Sequence, residues 1–154
     1  MKLEDLPTAT SLDSTTTGRR HNNLRAVERF FQLFQRDRAG FLALWSDDPV
    51  VEIPFAPPGL PRTYRTTTEF LNFWDPIFQS FRGKFDWTVV ELIVAEDPDT
   101  IVALTKSDVD VVTPMGPLKY QGEYIQIFRF KDGKVREFRE YIDSAAMSKI
   151  YGFG

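Results

Sequence analysis

The chain has no cysteine and one histidine, His21, in 154 residues. Without cysteine there is no disulfide, no thiolate nucleophile and no Cys-ligated zinc. With one histidine, neither a Ser-His-Asp triad nor a multi-His metal site can be assembled. No run of apolar residues is long enough to span a bilayer, and the first residues lack the apolar core of a signal peptide. A cytoplasmic chain that does not engage membranes is expected. The formal net charge is −3, with no basic block, which argues against nucleic acid as a partner. No Gly-rich phosphate motif or metal cluster is visible, so no cofactor and no metal are expected.

What is present is aromatic. Aromatic residues make up 14% of the chain, with 14 Phe and three Trp. Such side chains fill a core, and they also line pockets for flat or greasy ligands. The length suits a single domain. Residues 1–18 are rich in Ser, Thr and Asp and read as a flexible tail before a domain over 19–154.

Leu24, Val27, Phe30, Phe31 and Phe34 recur at helical spacing. Asp37 can cap a short second helix carrying Phe41, Leu44 and Trp45. Val50 to Phe55 reads as a strand, stopped by Pro54 and a Pro-rich loop. Thr66-x-x-Glu69 is a capping box, opening a helix with Phe70, Trp74, Ile77, Phe78 and Phe81. Pro76 within it predicts a kink or restart near Asp75. From Asp86 onward the chain reads as strands: 87–95, 101–112 and a closing pair. The helices come first and a long antiparallel meander follows, an α+β pattern. A strongly curved sheet with helices on one face would form a cone around a pocket.

The closing pair is the most informative segment. Asp132-Gly133 lies between two alternating runs, a strong hairpin signal. Pairing Lys131 with Lys134 sets Ile127 opposite Phe138, Ile125 opposite Glu140 and Glu123 opposite Ile142. These six then share one face. A carboxylic acid on an apolar face signals either a mistaken register or a site. The register of the preceding strand adds Ala103, Thr105 and Ser107 to that face and sends Lys106, Asp108 and Asp110 to the other. The turn assumed there spans five residues, 113–117. A one-residue slip would invert such an assignment.

The segments GRRHNNLRAVERFF in the first helix, AEDPD between two strands and FKDGKVREFREYIDSAAMSKIYG at the end resemble the SnoaL-like branch of the nuclear transport factor 2-like superfamily. Within that branch the chain is similar to phenazine biosynthesis A/B proteins. The likeness covers roughly residues 18–152. It implies a cone-shaped, curved antiparallel or mixed sheet wrapped around a pocket, with three N-terminal helices on its concave face. It also implies a homodimer through the outer sheet face and cofactor-free acid–base chemistry on a small cyclic molecule. Under that resemblance Glu140 is the pocket acid. The His and Ser that phenazine proteins carry on the third helix are replaced here, near Trp74 and Phe78.

Glu140 and Glu123 are therefore the candidate catalytic residues. An acid among Phe138, Ile125 and Ile142 loses solvation when charged, which raises its pKa and suits it to proton transfer near neutrality. Candidate ligand contacts are Tyr64, Phe55, Trp74, Phe78, Trp45, Ser107, Ile125 and Phe138. Glu52 is ambiguous, and His21 reads as a surface residue. The opposite face, with Val102, Leu104, Tyr124, Phe128 and Tyr141, is apolar enough to need a cover, which a twofold dimer would supply. The expected function is a cyclase, isomerase or condensation catalyst acting on a small hydrophobic cyclic intermediate. The alternative is a non-catalytic module of the same fold that binds a small ligand or a protein.

Overall fold

Helix α1 spans Thr16–Leu33 in the computed structural model, which describes residues 15–79, 85 and 87–151. The expected tail falls mostly on residues 1–14, outside the described residues. Its last part does not hold, because Thr16 to Gly18 are already helical. The Thr15 side chain caps α1 by accepting from the Gly18 N–H. Leu24, Val27, Phe30 and Phe31 form its buried stripe. Phe30 is the hub, with ring centroids 5.0 Å from Phe41, Phe128 and Phe138. Such ring pairs add stabilisation beyond the area they bury.

Asp37 caps α2, Arg38–Leu42, as expected. Trp45 does not lie on that helix. It opens β1, Trp45–Glu52, five residues before the predicted strand. A two-residue strand that sequence reading missed, β2 (Thr63–Tyr64), pairs antiparallel with β1. Helix α3, Thr67–Phe78, runs through Pro76 without restarting. Its capping box is a variant. Thr66 Oγ1 accepts from the Glu69 N–H, but the Glu69 carboxylate reaches Arg65 N, one residue before the cap.

Strands β3 (Trp87–Val94), β4 (Thr100–Thr113), β5 (Gly116–Lys131) and β6 (Lys134–Tyr141) form the meander, and α4 (Ser144–Tyr151) closes it. The sheet order is β2-β1-β6-β5-β4-β3. Among the described residues only β1 and β6 pair in parallel, so the sheet is mixed. Register shifts in β3 and β6 bend it. The result is a curved, unclosed sheet with the N-terminal helices on its concave side, a nuclear transport factor 2-like α+β fold. Among the described residues no helix is long and apolar enough to cross a membrane.

The β5–β6 register corrects the sequence reading. Asp132 and Gly133 form the turn with φ of 51° and 77°, and Lys131 pairs with Lys134 as expected. The register then slips: Phe130 pairs with Val135, but Arg129 pairs with Glu137. Arg136 is the extra residue of a bulge. Beyond it Phe128 faces Phe138 and Gln126 faces Glu140. Every β5 side chain therefore changes face relative to the simple register. Glu123 and Ile125 turn outward, while Tyr124, Gln126 and Phe128 turn inward. On β4 the expected faces hold, with Ala103, Thr105 and Ser107 inside and Asp108 and Asp110 exposed. The β4–β5 turn has two residues, not five, since Thr113 pairs with Gly116.

Candidate active site

The concave face of the sheet, α1, α3 and α4 enclose a cavity of about 40 Å³. That volume admits about three water molecules. The sheet contributes Trp87, Tyr120, Tyr124, Phe138 and Glu140 to its wall. The helices contribute Phe30, Phe70, Trp74 and Met147, and Phe34 joins them from the C-cap of α1. A ring-sized molecule fits only if some of these side chains move aside, and Met147 is the least rigid of them.

Glu140 is the one carboxylate among these wall residues. It keeps some accessibility because it faces the cavity, while its carboxyl is enclosed by protein. Burial pushes its pKa up to about 7, opposed by the hydrogen bond that Gln126 donates. Gln126 Nε2 donates to Glu140 Oε2 at 3.2 Å, and Thr105 Oγ1 donates to Gln126 Oε1 at 2.9 Å. Gln126 has no solvent exposure, and its amide orients the carboxyl without neutralising it. No cation is bonded to Glu140 among the described residues, so its charge at neutral pH is set by desolvation.

A second polar chain lies beside it. Ser107 Oγ and the Tyr124 hydroxyl are 2.8 Å apart, and the Tyr124 hydroxyl donates to that of Tyr120 at 3.2 Å. Burial pushes the Tyr120 phenol up to about 12 and raises Tyr124 as well. Both stay protonated near neutrality and serve as hydrogen-bond groups rather than bases.

The predicted site residues divide as follows. Glu140, Trp74 and Phe138 line the cavity. Ser107 is buried and reaches the cavity through Tyr124. Tyr64 stands behind Trp74 and accepts from its Nε1 at 2.9 Å. Burial raises the Tyr64 phenol to about 12. Trp45 is core, packed on Phe30, Phe41 and Phe138. Phe55 is 60% exposed and packs on Tyr141 outside the cavity. Ile125 is 46% exposed on the outer face, and Glu123 is exposed beside it. Both are moved there by the Arg136 bulge. Phe78 ends α3, and its side chain lies outside the described residues. His21 lies on α1 and is half-buried rather than fully on the surface. Glu52 pairs with Arg139 at 2.7 Å on the outer face.

Of the expected dimer residues, Val102, Leu104 and Tyr141 are half-buried on the outer face. Tyr124 and Phe128 are buried inside, turned there by the same bulge. The inward residues that sequence reading missed are Gln126, Tyr120 and Tyr124. A signal was available: Val135 and Phe138 are both apolar but three apart, which breaks a period of two and marks a bulge.

The SnoaL-like domain family matches residues 27–138. This chain belongs to that family. Among curated proteins this SnoaL-like chain is 21% identical to YesE of Bacillus subtilis (strain 168) over 120 residues, covering 78% of the chain and 80% of the relative. Among solved structures, a Bacillus subtilis protein provisionally assigned as an isomerase superposes with a TM-score of 0.76 at 20% identity, covering 88% of this chain and 96% of that one. A phenazine biosynthesis-related protein of Pseudomonas aeruginosa also reaches 0.76, at 16% identity and 90% coverage of both chains. At such identities the likeness establishes the fold. Among the described residues no three acidic or His side chains converge as a metal site would require.

Proposed function

We propose that this SnoaL-like domain is an acid–base catalyst of the cyclase or isomerase type. Its substrate would be a small, hydrophobic, ring-containing carbonyl compound, handled without metal or nucleotide. The observation that carries this reading is the placement of Glu140, a carboxyl in an aromatic-walled cavity, bonded by a neutral amide, whose pKa burial pushes up to about 7. A group with that pKa is present in both protonation states near neutral pH, the condition for efficient general acid–base work. The provisional isomerase assignment of one structural relative supports isomerase-type chemistry, and the phenazine-biosynthesis relation of another supports a ring compound as substrate.

The residues suggest a sequence of steps. The Glu140 carboxylate removes a proton from carbon next to a carbonyl. The electron pair moves onto the carbonyl oxygen, where the Tyr120 hydroxyl donates to the developing enolate. The Glu140 carboxylic acid then returns the proton to a different carbon, completing an isomerisation. Alternatively the enolate carbon attacks a second carbonyl and Glu140 protonates the new alkoxide, closing a ring. Glu123, on the outer face, takes no part.

The test is hydrogen–deuterium exchange at the α-carbon of cyclic ketones in D2O, read by proton NMR. The wild-type protein should accelerate exchange, and Glu140→Gln should lose about 100- to 10,000-fold of that acceleration, the usual worth of a general base. Equal exchange with both proteins would sink the catalytic reading.

A second reading, a binding module without turnover, is favoured by the small cavity. Under it, Glu140→Gln keeps ligand affinity and the wild type shows no exchange. In either reading we assign the outer face, with Val90, Ile93, Val102, Leu104 and Ile125, to a homodimer contact. Val90 and Ile93 are 60% and 44% exposed, an apolar surface that self-association would cover.

A further inference from the structure

Tyr120 and Tyr124 stand on the inner face of β5 with Gly122 between them. A Cβ on Gly122 would lie 2.5 Å from the Tyr124 hydroxyl oxygen and 2.7 Å from that of Tyr120. Cβ atoms do not tolerate such distances, and both obstacles are the ends of stiff rings. The two phenols lean toward each other over bare backbone and bond there. Ser107, the cross-strand partner of Gly122, meets Tyr124 at the same place.

Hydrogen counting gives this chain a direction. A phenol and an alcohol each carry one hydrogen. Tyr124 donates its hydrogen to Tyr120, so Ser107 must be the donor to Tyr124. Tyr120 receives a bond and donates none to any described residue. Its hydrogen is left for the cavity that it lines.

We propose that Gly122 and Ser107 are positioning residues that set a one-way relay, Ser107 to Tyr124 to Tyr120, and so present Tyr120 to the bound molecule as a hydrogen-bond donor. The bound molecule must then place an acceptor oxygen at that point. No Lys, Arg or His is among the described wall residues, which favours a neutral carbonyl over a carboxylate or phosphate. This deepens the reading of the site given above and rests on it for the identity of the cavity.

The experiment labels tyrosine with carbon-13 at Cζ and measures hydroxyl exchange in mixed H2O and D2O by NMR. Tyr120→Phe removes the acceptor of the Tyr124 hydrogen and should speed Tyr124 exchange about tenfold, the factor for losing one ordinary hydrogen bond. Ser107→Ala removes only a donor to Tyr124 and should leave its exchange near the wild-type rate. Ser107→Thr, which keeps the hydroxyl, should match wild type. Gly122→Ala should behave like Tyr120→Phe; if it does not fold, the Ser107 and Tyr120 variants decide alone. The opposite pattern, with Ser107→Ala fast and Tyr120→Phe unchanged, overturns the direction, as does any result in which the two variants behave alike.

Cyclohexanone serves as the acceptor probe and methylenecyclohexane as the same shape without oxygen. The ketone should shift the Tyr120 signal and the alkene should not. No shift with the ketone, or equal shifts with both, overturns Tyr120 as donor to the ligand. Glu140→Gln should leave Tyr124 exchange unchanged. A relay that fails while Glu140-dependent carbon exchange persists refutes this inference and spares the catalytic reading, and the converse result does the reverse.

Discussion

Replacing Glu140 with Gln should change the pH dependence of folding stability in a calculable way. The folded-state pKa is about 7 and the ordinary value is 4.5. Between these values the folded chain binds a proton that the unfolded chain has released. Stability therefore falls as pH rises through this window. The contribution is fully present below about pH 4.5 and fully lost above about pH 7. At about 1.4 kcal/mol per pKa unit, a shift of this size corresponds to about 3 kcal/mol. Gln keeps the shape, cannot ionise, and its carbonyl can still accept from Gln126. The other titrating groups are common to both proteins and cancel in the difference. Urea denaturation of wild type and Glu140→Gln, from about pH 4.5 to 8, measures that difference. The variant should gain on wild type by about 3 kcal/mol across the range, most steeply between pH 5 and 7. A difference that stays flat with pH would refute the claim that desolvation governs Glu140. A difference of the opposite sign would mean that an unseen cation holds the carboxylate.

Gln126→Leu removes the amide that stabilises the Glu140 carboxylate. The Glu140 pKa should rise further above 7, seen by carbon-detected NMR titration of the Glu carboxyls. Ile125→Lys places a charge on the outer apolar face, and like charges meet across a twofold axis. Sedimentation equilibrium should show the wild type as a dimer and the variant as a monomer with an unchanged circular dichroism spectrum.

Much of the fold was legible in local chemistry. Asp37 and Thr66 marked helix starts because a short side-chain oxygen must satisfy free N–H groups there. The α1 stripe announced a buried face through its period. Asp132-Gly133 announced a type I′ turn because both residues adopt positive φ. Trp45 misled, since an aromatic residue near a helix end fits a helix stripe and a strand start equally well. Strand β2 was illegible because two residues carry no period. Pro76 fits within α3 because tertiary packing overrides a local preference.

The site was half legible. Glu140 stood out because a carboxyl in an apolar alternation is costly unless it is used. Its partners were lost to one residue, Arg136, whose bulge exchanged the faces of β5. That exchange put Gln126, Tyr120 and Tyr124 inside and set Glu123 and Ile125 outside.

By itself, the sequence determined the helix starts, the last turn, the order of elements and the absence of thiol or poly-His chemistry. Each of these depends on residues within a few positions of one another. The tertiary structure alone decided which strand faces meet, that Gln126 bonds Glu140, and that Gly122 lets two phenols converge. Those outcomes depend on register between distant segments, where a single inserted residue reverses every side chain that follows.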